Sequence, residues 1–220
     1  MIESIGRRLR VAFSRSGTGR SSTAPDAGAL DEPKVLPLVE FVAYAEDCVL
    51  SGLVRLESER LSDMLNDHDE VQLIDVLVEP LDGSAPAEIK EVLVRRDEIV
   101  LVHASGPRGD AARRRRTRQH PVSLDLGRYA VHGYLHALPG ADPLNAIRRR
   151  KVMIPITDAV IEFEFQGEAR NQRAGVVVVN RDHVSAISKA VEHDVEMPMI
   201  PTHESKKGRL TKDFTGDIVR

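Results

Sequence analysis

The sequence predicts a mainly β protein, a tandem duplication of a small five-stranded antiparallel barrel or half-barrel with one short helix in each unit. Three observations carry this prediction. Short apolar, β-branched runs recur between turn-forming clusters, as strands require. Segments of residues 49–99 reappear in the same order within residues 130–184. The apolar material is aliphatic, because 41% of residues are hydrophobic while only 4% are aromatic and Trp is absent.

Residues 1–15 open the chain with Ile2, Ile5, Leu9, Ala12 and Phe13 at helical spacing. Arg7, Arg8, Arg10 and Arg15 take the opposite side. The pattern predicts a basic amphipathic helix, of the kind that lies on a membrane surface or fills a partner's groove. Residues 16–34 are rich in Ser, Gly, Thr, Ala and Asp and predict a flexible linker.

The first repeat spans residues 35–105. Val35 to Ala45 and Cys48 to Leu56 predict two strands, and Arg60 to Asn66 a short helix that Ser62 or Asp63 can cap. Val71 to Val78 predicts the third strand. Glu91 to Val94 and Ile99 to His103 predict two more, around a tight turn at Arg95-Arg96-Asp97. Residues 106–119 hold Arg113, Arg114, Arg115, Arg116 and Arg118 without apolar periodicity, which predicts a solvated linker or loop.

The second repeat, residues 120–189, follows the same order. Val49 to Leu56 matches Ala130 to Ala137 with Gly52 and Gly133 aligned. Asp63-Met-Leu-Asn66 is echoed by Asp142-Pro-Leu-Asn145, Asp75 to Glu79 by Asp158 to Glu162, and Arg96-Asp97 by Arg181-Asp182. The spacing between matches changes only in expected loops, where insertions are tolerated. A glycine inside each second strand suits the bend that a small barrel requires. Residues 190–220, with mixed charge and few apolar anchors, predict a mobile tail.

Val92-Leu-Val-Arg-Arg-Asp-Glu-Ile-Val100 and Val177-Val-Val-Asn-Arg-Asp-His-Val184 resemble the second signature of Sm-like proteins, an apolar strand, a tight turn and a second apolar strand. The glycine-bearing strand followed by an Asp and a Leu-Asn pair resembles the first. Arg96 and Arg181 stand where that signature carries glycine. The resemblance implies a small β-barrel in each unit and RNA as a binding partner.

No constellation of residues points to catalysis. No Ser sits in a glycine-framed elbow, no Gly-rich nucleotide loop is present, and Cys48 is the single cysteine. His132 and His136 fall on one face of a strand at about 13 Å separation, too far apart to share an ion. The expectation is therefore a non-enzymatic scaffold or interaction protein without cofactor or metal. Its partners would be a protein or further copies of itself, with peripheral membrane contact through Ile2, Ile5, Leu9, Phe13, Arg7, Arg8 and Arg10. A nucleic-acid module is the alternative, using Arg113 to Arg116, Arg118, Arg96 and Arg181. A net charge of −3 argues against a surface coated by polyanion. One cysteine and the lack of an apolar run of about 20 residues suit a cytoplasmic protein, peripheral at the inner face of the membrane. The excess of Arg over Lys hints at a GC-rich bacterial genome.

Overall fold

Period-two burial, the signature of a sheet with one face on a core, marks residues 38–44, 70–80 and 129–137. The structure, a computed structural model, describes residues 36–107, 109–110, 112 and 116–190. The expected N-terminal helix and linker lie outside these, as does the C-terminal tail after Ala190. Ten strands form one antiparallel sheet: β1 (Leu38–Tyr44), β2 (Cys48–Arg55), β3 (Glu70–Pro80), β4 (Ala87–Arg95), β5 (Leu101–Ala104), β6 (Arg118–Asp125), β7 (Tyr129–Ala137), β8 (Met153–Phe165), β9 (Glu168–Asn180) and β10 (Ala186–Lys189). Helix α1 (Leu61–Asp67) joins β2 to β3, and α2 (Pro143–Arg148) joins β7 to β8. The strand order is β10-β6-β7-β8-β9-β5-β1-β2-β3-β4, so the sheet is open, with β10 and β4 at its ends. Of the expected barrel or half-barrel in each unit, the closed form is corrected, because the sheet does not close.

Residues 38–104 and 118–189 each run strand, strand, helix, two long strands, 3₁₀ turn and short strand. Each half also pairs in the same order, fifth strand to first, first to second, second to third and third to fourth. Even the irregularities coincide. The β2–β3 register slips between Ser51 and Leu53, and the β7–β8 register between His132 and Tyr134. The glycine between them, Gly52 or Gly133, faces a strand that carries an extra residue, a β-bulge. Asp75 (φ 50°) and Asp158 (φ 49°) take the left-handed backbone there. Both aspartates lie within strands, and Asp tolerates this conformation better than branched residues do.

Several boundaries move. Arg118 belongs to β6, opposite Ala137, and not to the linker. Strand β9 reaches back to Glu168 through a polar stretch, and β8 forward to Phe165, around a turn with Gln166 (φ 54°) and Gly167 (φ 79°), both left-handed as tight hairpins favour. Helix α1 is preceded by Arg60, which makes no side-chain cap, so neither Ser62 nor Asp63 caps it. Asp142 does cap α2, accepting the Asn145 N–H at 3.2 Å. In packing, Leu61 and Leu65 correspond to Pro143 and Ile147, which start and anchor the two helices. The Asp-x-Leu-Asn echo is therefore displaced by about one helical turn.

Two apolar cores result, and each borrows from the other half. The first includes Leu50, Leu65, Leu73 and Val94 together with Met153 and Val178 from the second half. The second includes Val131, Leu135, Ile156 and Ile161 together with Tyr44, Val49, Leu81 and Leu101 from the first. Few aromatics are available, and three of them gather at this boundary. Tyr44 lies edge-on to Tyr129 (5.6 Å) and Phe163 (5.5 Å).

Candidate interaction edges

The joint between the halves sets the standard for judging the sheet's ends. Strand β5 meets β9 with Leu101 opposite Val179, Val102 opposite Val178 and His103 opposite Val177. All of these valines and Leu101 are at most 1% exposed. Asn180, the buried polar side chain of the core, closes the joint. Its Nδ2 donates to the carbonyls of Arg96 (3.1 Å) and Ile99 (2.9 Å), while its Oδ1 accepts the Asp182 N–H (3.0 Å). Its own N–H donates to the Val100 carbonyl at 2.9 Å. From the other side, Asn66 at the end of α1 grips Met153 through both amide groups, at 2.9 and 3.0 Å. His183 Nε2 lies 2.7 Å from the Asp97 carbonyl, and because a carbonyl only accepts, that nitrogen carries the proton.

The two ends of the sheet have no such cover among the described residues. Strand β4 pairs only with β3 and β10 only with β6, so each leaves a row of backbone N–H and C=O groups without a strand partner. Half-buried Leu93 sits on the β4 edge and half-buried Ile187 on the β10 edge. A cleft of about 140 Å³ opens beside Leu93, with Val54, Met64, Val71 and His68 in its lining. A second, wider groove runs along His68–Glu70 and Leu93–Asp97. Arg95 and Asp97 pair at its rim through two hydrogen bonds, and Lys189 reaches Asp142 at 3.2 Å beside β10.

The structure brings some of the expected site residues to quite different work. Arg96 donates to the carbonyls of Leu65, Asn66 and His68, each at 3.4 Å, and pairs with Asp69 at 2.6 Å. Arg181 does the same at the end of α2, donating to Arg148 (3.3 Å) and Arg150 (2.6 Å). Each guanidinium therefore holds the unpaired carbonyls at a helix C-terminus and ties a 3₁₀ turn to it. Arg116 and Arg118 are exposed. Arg113, Arg114 and Arg115 lie outside the described residues, as do Ile2, Ile5, Leu9, Phe13, Arg7, Arg8 and Arg10.

Titratable groups with shifted equilibria do not converge on either cleft. Burial pushes the Cys48 thiol up to about 12, reinforced by neighbouring Asp47, so it stays protonated and unreactive at neutral pH. Burial also raises the Tyr44 phenol to about 12 and Tyr129 further still. The Tyr129 hydroxyl donates to the Ala45 carbonyl at 2.6 Å, and that of Tyr44 to Gln172. His103 is lowered by burial. His136 sits between the hydroxyls of Thr117 (3.2 Å) and Thr157 (2.9 Å), whereas His132 faces Glu162 at 3.7 Å. Among the described residues no cluster of His, Cys, Asp or Glu could hold a metal ion, and no helix is long and apolar enough to cross a membrane.

No protein-family model, no curated protein and no solved structure matches the chain. Asn180 and Asn66, which lock the joint, were missed in the sequence, since a lone Asn beside a turn reads as turn chemistry. The one usable signal was that Asn180 replaces Arg95 of the first half.

Proposed function

We propose that the chain is a non-enzymatic interaction or scaffold protein, built by tandem duplication of a β unit and binding a protein partner by strand addition at the open β4 edge. The observation that carries this reading is the edge itself. Leu93 is a half-buried apolar side chain on a strand with no outer neighbour among the described residues, and it borders a cleft and an open groove. Such an edge gives a partner main-chain hydrogen bonds, and an adjoining cleft gives a place for one of its side chains.

The matching element orders, registers and bulges of residues 38–104 and 118–189 support the duplication. The basic amphipathic segment 1–15 remains the proposed second contact, with a membrane surface or partner, in a cytoplasmic protein peripheral at the inner face. Nucleic acid is the weaker alternative, because Arg96 and Arg181 spend their donors on helix ends.

Selection of extended peptides against the full chain tests the edge reading, with backbone amide exchange used to locate the bound peptide. Enriched peptides should protect amides of Ala87–Arg95 and lose binding to Leu93→Lys. Peptides that protect another region, or no enrichment at all, would remove the β4 edge as the recognition element.

A further inference from the structure

The chain already contains one joint in which a fourth strand receives a fifth strand from the neighbouring half, and among the described residues it leaves the equivalent pair of strands, β4 and β10, without an outer neighbour. Val177–Val179 precede the turn Arg181–His183 as Val92–Val94 precede the turn Arg96–Glu98. Leu101–His103 follow the first turn as Ala186–Ser188 follow the second. We propose that β10 of one molecule pairs with β4 of a second copy, in the register that joins β5 to β9, so that the sheet continues from chain to chain. This rests on the edge reading above and names the partner of that edge as the same protein.

Carrying the internal register across sets Ala186 opposite Val94, Ile187 opposite Leu93 and Ser188 opposite Val92. The next pair is Lys189 opposite Glu91, and opposite charges facing across antiparallel strands attract. Leu93 and Ile187 then occupy the places of Val178 and Val102, which are 1% and 0% exposed in the internal joint. Both edge residues are half-buried now, so the pairing would remove the rest of their apolar surface from water. The Arg95 N–H would meet the Ser185 carbonyl as the Asn180 N–H meets that of Val100.

The contact is heterologous, because it joins two different edges. Every added copy therefore leaves one β4 and one β10 free, and growth ends only if the curvature closes a ring. The contact is also weaker than the internal one. Glu70 and Gln72 stand where the internal joint has Met153 and Pro155, and Ser185 and Ala186 where it has Val100 and Leu101. Polar edges of this kind keep a sheet from sticking indiscriminately and make its association reversible.

Sedimentation of the full chain over a range of concentrations, with two edge-blocked variants, tests the proposal. The mass of the wild-type chain should rise past that of a dimer. Leu93→Lys, which spoils β4, and Ile187→Lys, which spoils β10, should each weaken self-association at least about tenfold, since a lysine would be buried at the new strand pair. An equimolar mixture of the two should form a dimer, the sound β10 of the first meeting the sound β4 of the second.

A wild-type chain that stays monomeric overturns the proposal, as does a single variant that still associates like wild type. Peptide capture at β4 by that same monomer would leave the edge reading standing. Should either lysine variant fail to fold by circular dichroism, the exposed pair gives a second measurement. Lys189→Glu and Glu91→Lys should each weaken association, and the double variant should recover it. Failure of the double variant to recover overturns the register.

Discussion

Gly52 faces the bulge at Asp75. A Cβ on Gly52 would stand 3.0 Å from the Ile74 carbonyl oxygen and 3.1 Å from a Val76 methyl, the two neighbours of Asp75. The extra residue pushes the β3 backbone toward β2, and only a residue without a side chain leaves room for it. Gly133 is tighter, with a Cβ position 2.7 Å from the Ile156 Cγ2 and 2.9 Å from the Thr157 carbonyl. Gly133→Ala should therefore cost about 1–3 kcal/mol of stability and Gly52→Ala less, as measured by urea unfolding. Equal, negligible losses would mean that the bulges yield easily.

The residue in the bulge gives a separate test. Asp75 and Asp158 are left-handed at φ 50° and 49° and exposed, and Asp75 pairs with the exposed Lys90 at 3.2 Å. Asp75→Gly should leave stability within about 0.5 kcal/mol of wild type, because relief of the left-handed strain offsets glycine's entropy. Asp75→Val should destabilise clearly more, since a β-branched side chain resists that backbone. Thermal melts of the pair, run side by side, would decide it, and a valine variant as stable as the glycine one would sink the assignment.

Arg96 and Arg181 each hold a helix C-terminus to a 3₁₀ turn. Arg96→Gln should lower stability by about 1–3 kcal/mol, because the carbonyls of α1 lose a charged donor. Arg96→Lys should recover little of this, since one ammonium cannot span the positions that a planar guanidinium reaches. Denaturant midpoints would show the difference. If lysine restored full stability, charge alone would be at work and the fork geometry irrelevant.

These tests also mark what the sequence made legible. The strand, strand, helix, strand, strand, strand order of each half could be read from period-two runs and turn residues. Gly52 and Gly133 pointed to backbone irregularities that are present. The outer part of β9 was not legible, because Glu168–Arg173 is polar and, apart from Gln172, exposed, so no apolar alternation marks it as a strand. The joint between β5 and β9 was hidden for another reason. Its residues are more than 70 positions apart, as with His103 and Val177, and pairing choice between two apolar strands leaves no local mark. Arg96 and Arg181 both reach carbonyls at a helix C-terminus, about 30 residues back along the chain, and such a long-range contact leaves no local mark in the sequence.

Alkaline pH should weaken the fold from about pH 9 upward. The Cys48 thiol is raised from 9.0 to about 12 by burial, and the Tyr44 phenol from 10.0 to about 12. The folded chain thus keeps protons that the unfolded chain releases. Stability is fully present below the unfolded values and falls as pH rises through the window up to about 12, by at most about 1.4 kcal/mol per pH unit for each group. Between pH 9 and 10 the loss belongs mainly to Cys48. Cys48→Ala should flatten the stability profile there, whatever it costs at neutral pH. An unchanged slope in that variant would show that the thiol does not contribute.

Asn180 is the test of how the halves are held. It is 1% exposed, and its amide donates to two carbonyls of the first half, those of Arg96 and Ile99. Asn180→Leu keeps the volume but leaves both carbonyls without that donor in a dry site, so a loss of about 2–3 kcal/mol is expected. Asn180→Asp is the sharper variant. Its carboxylate would face two carbonyl oxygens at neutral pH and repel them, whereas the protonated acid could donate to one. Its folded pKa should consequently be raised, and the variant should regain stability relative to wild type as pH falls from 7 toward 5. Unfolding curves for both proteins across that interval would check this, and a constant difference would mean that the amide N–H groups are not what binds the joint.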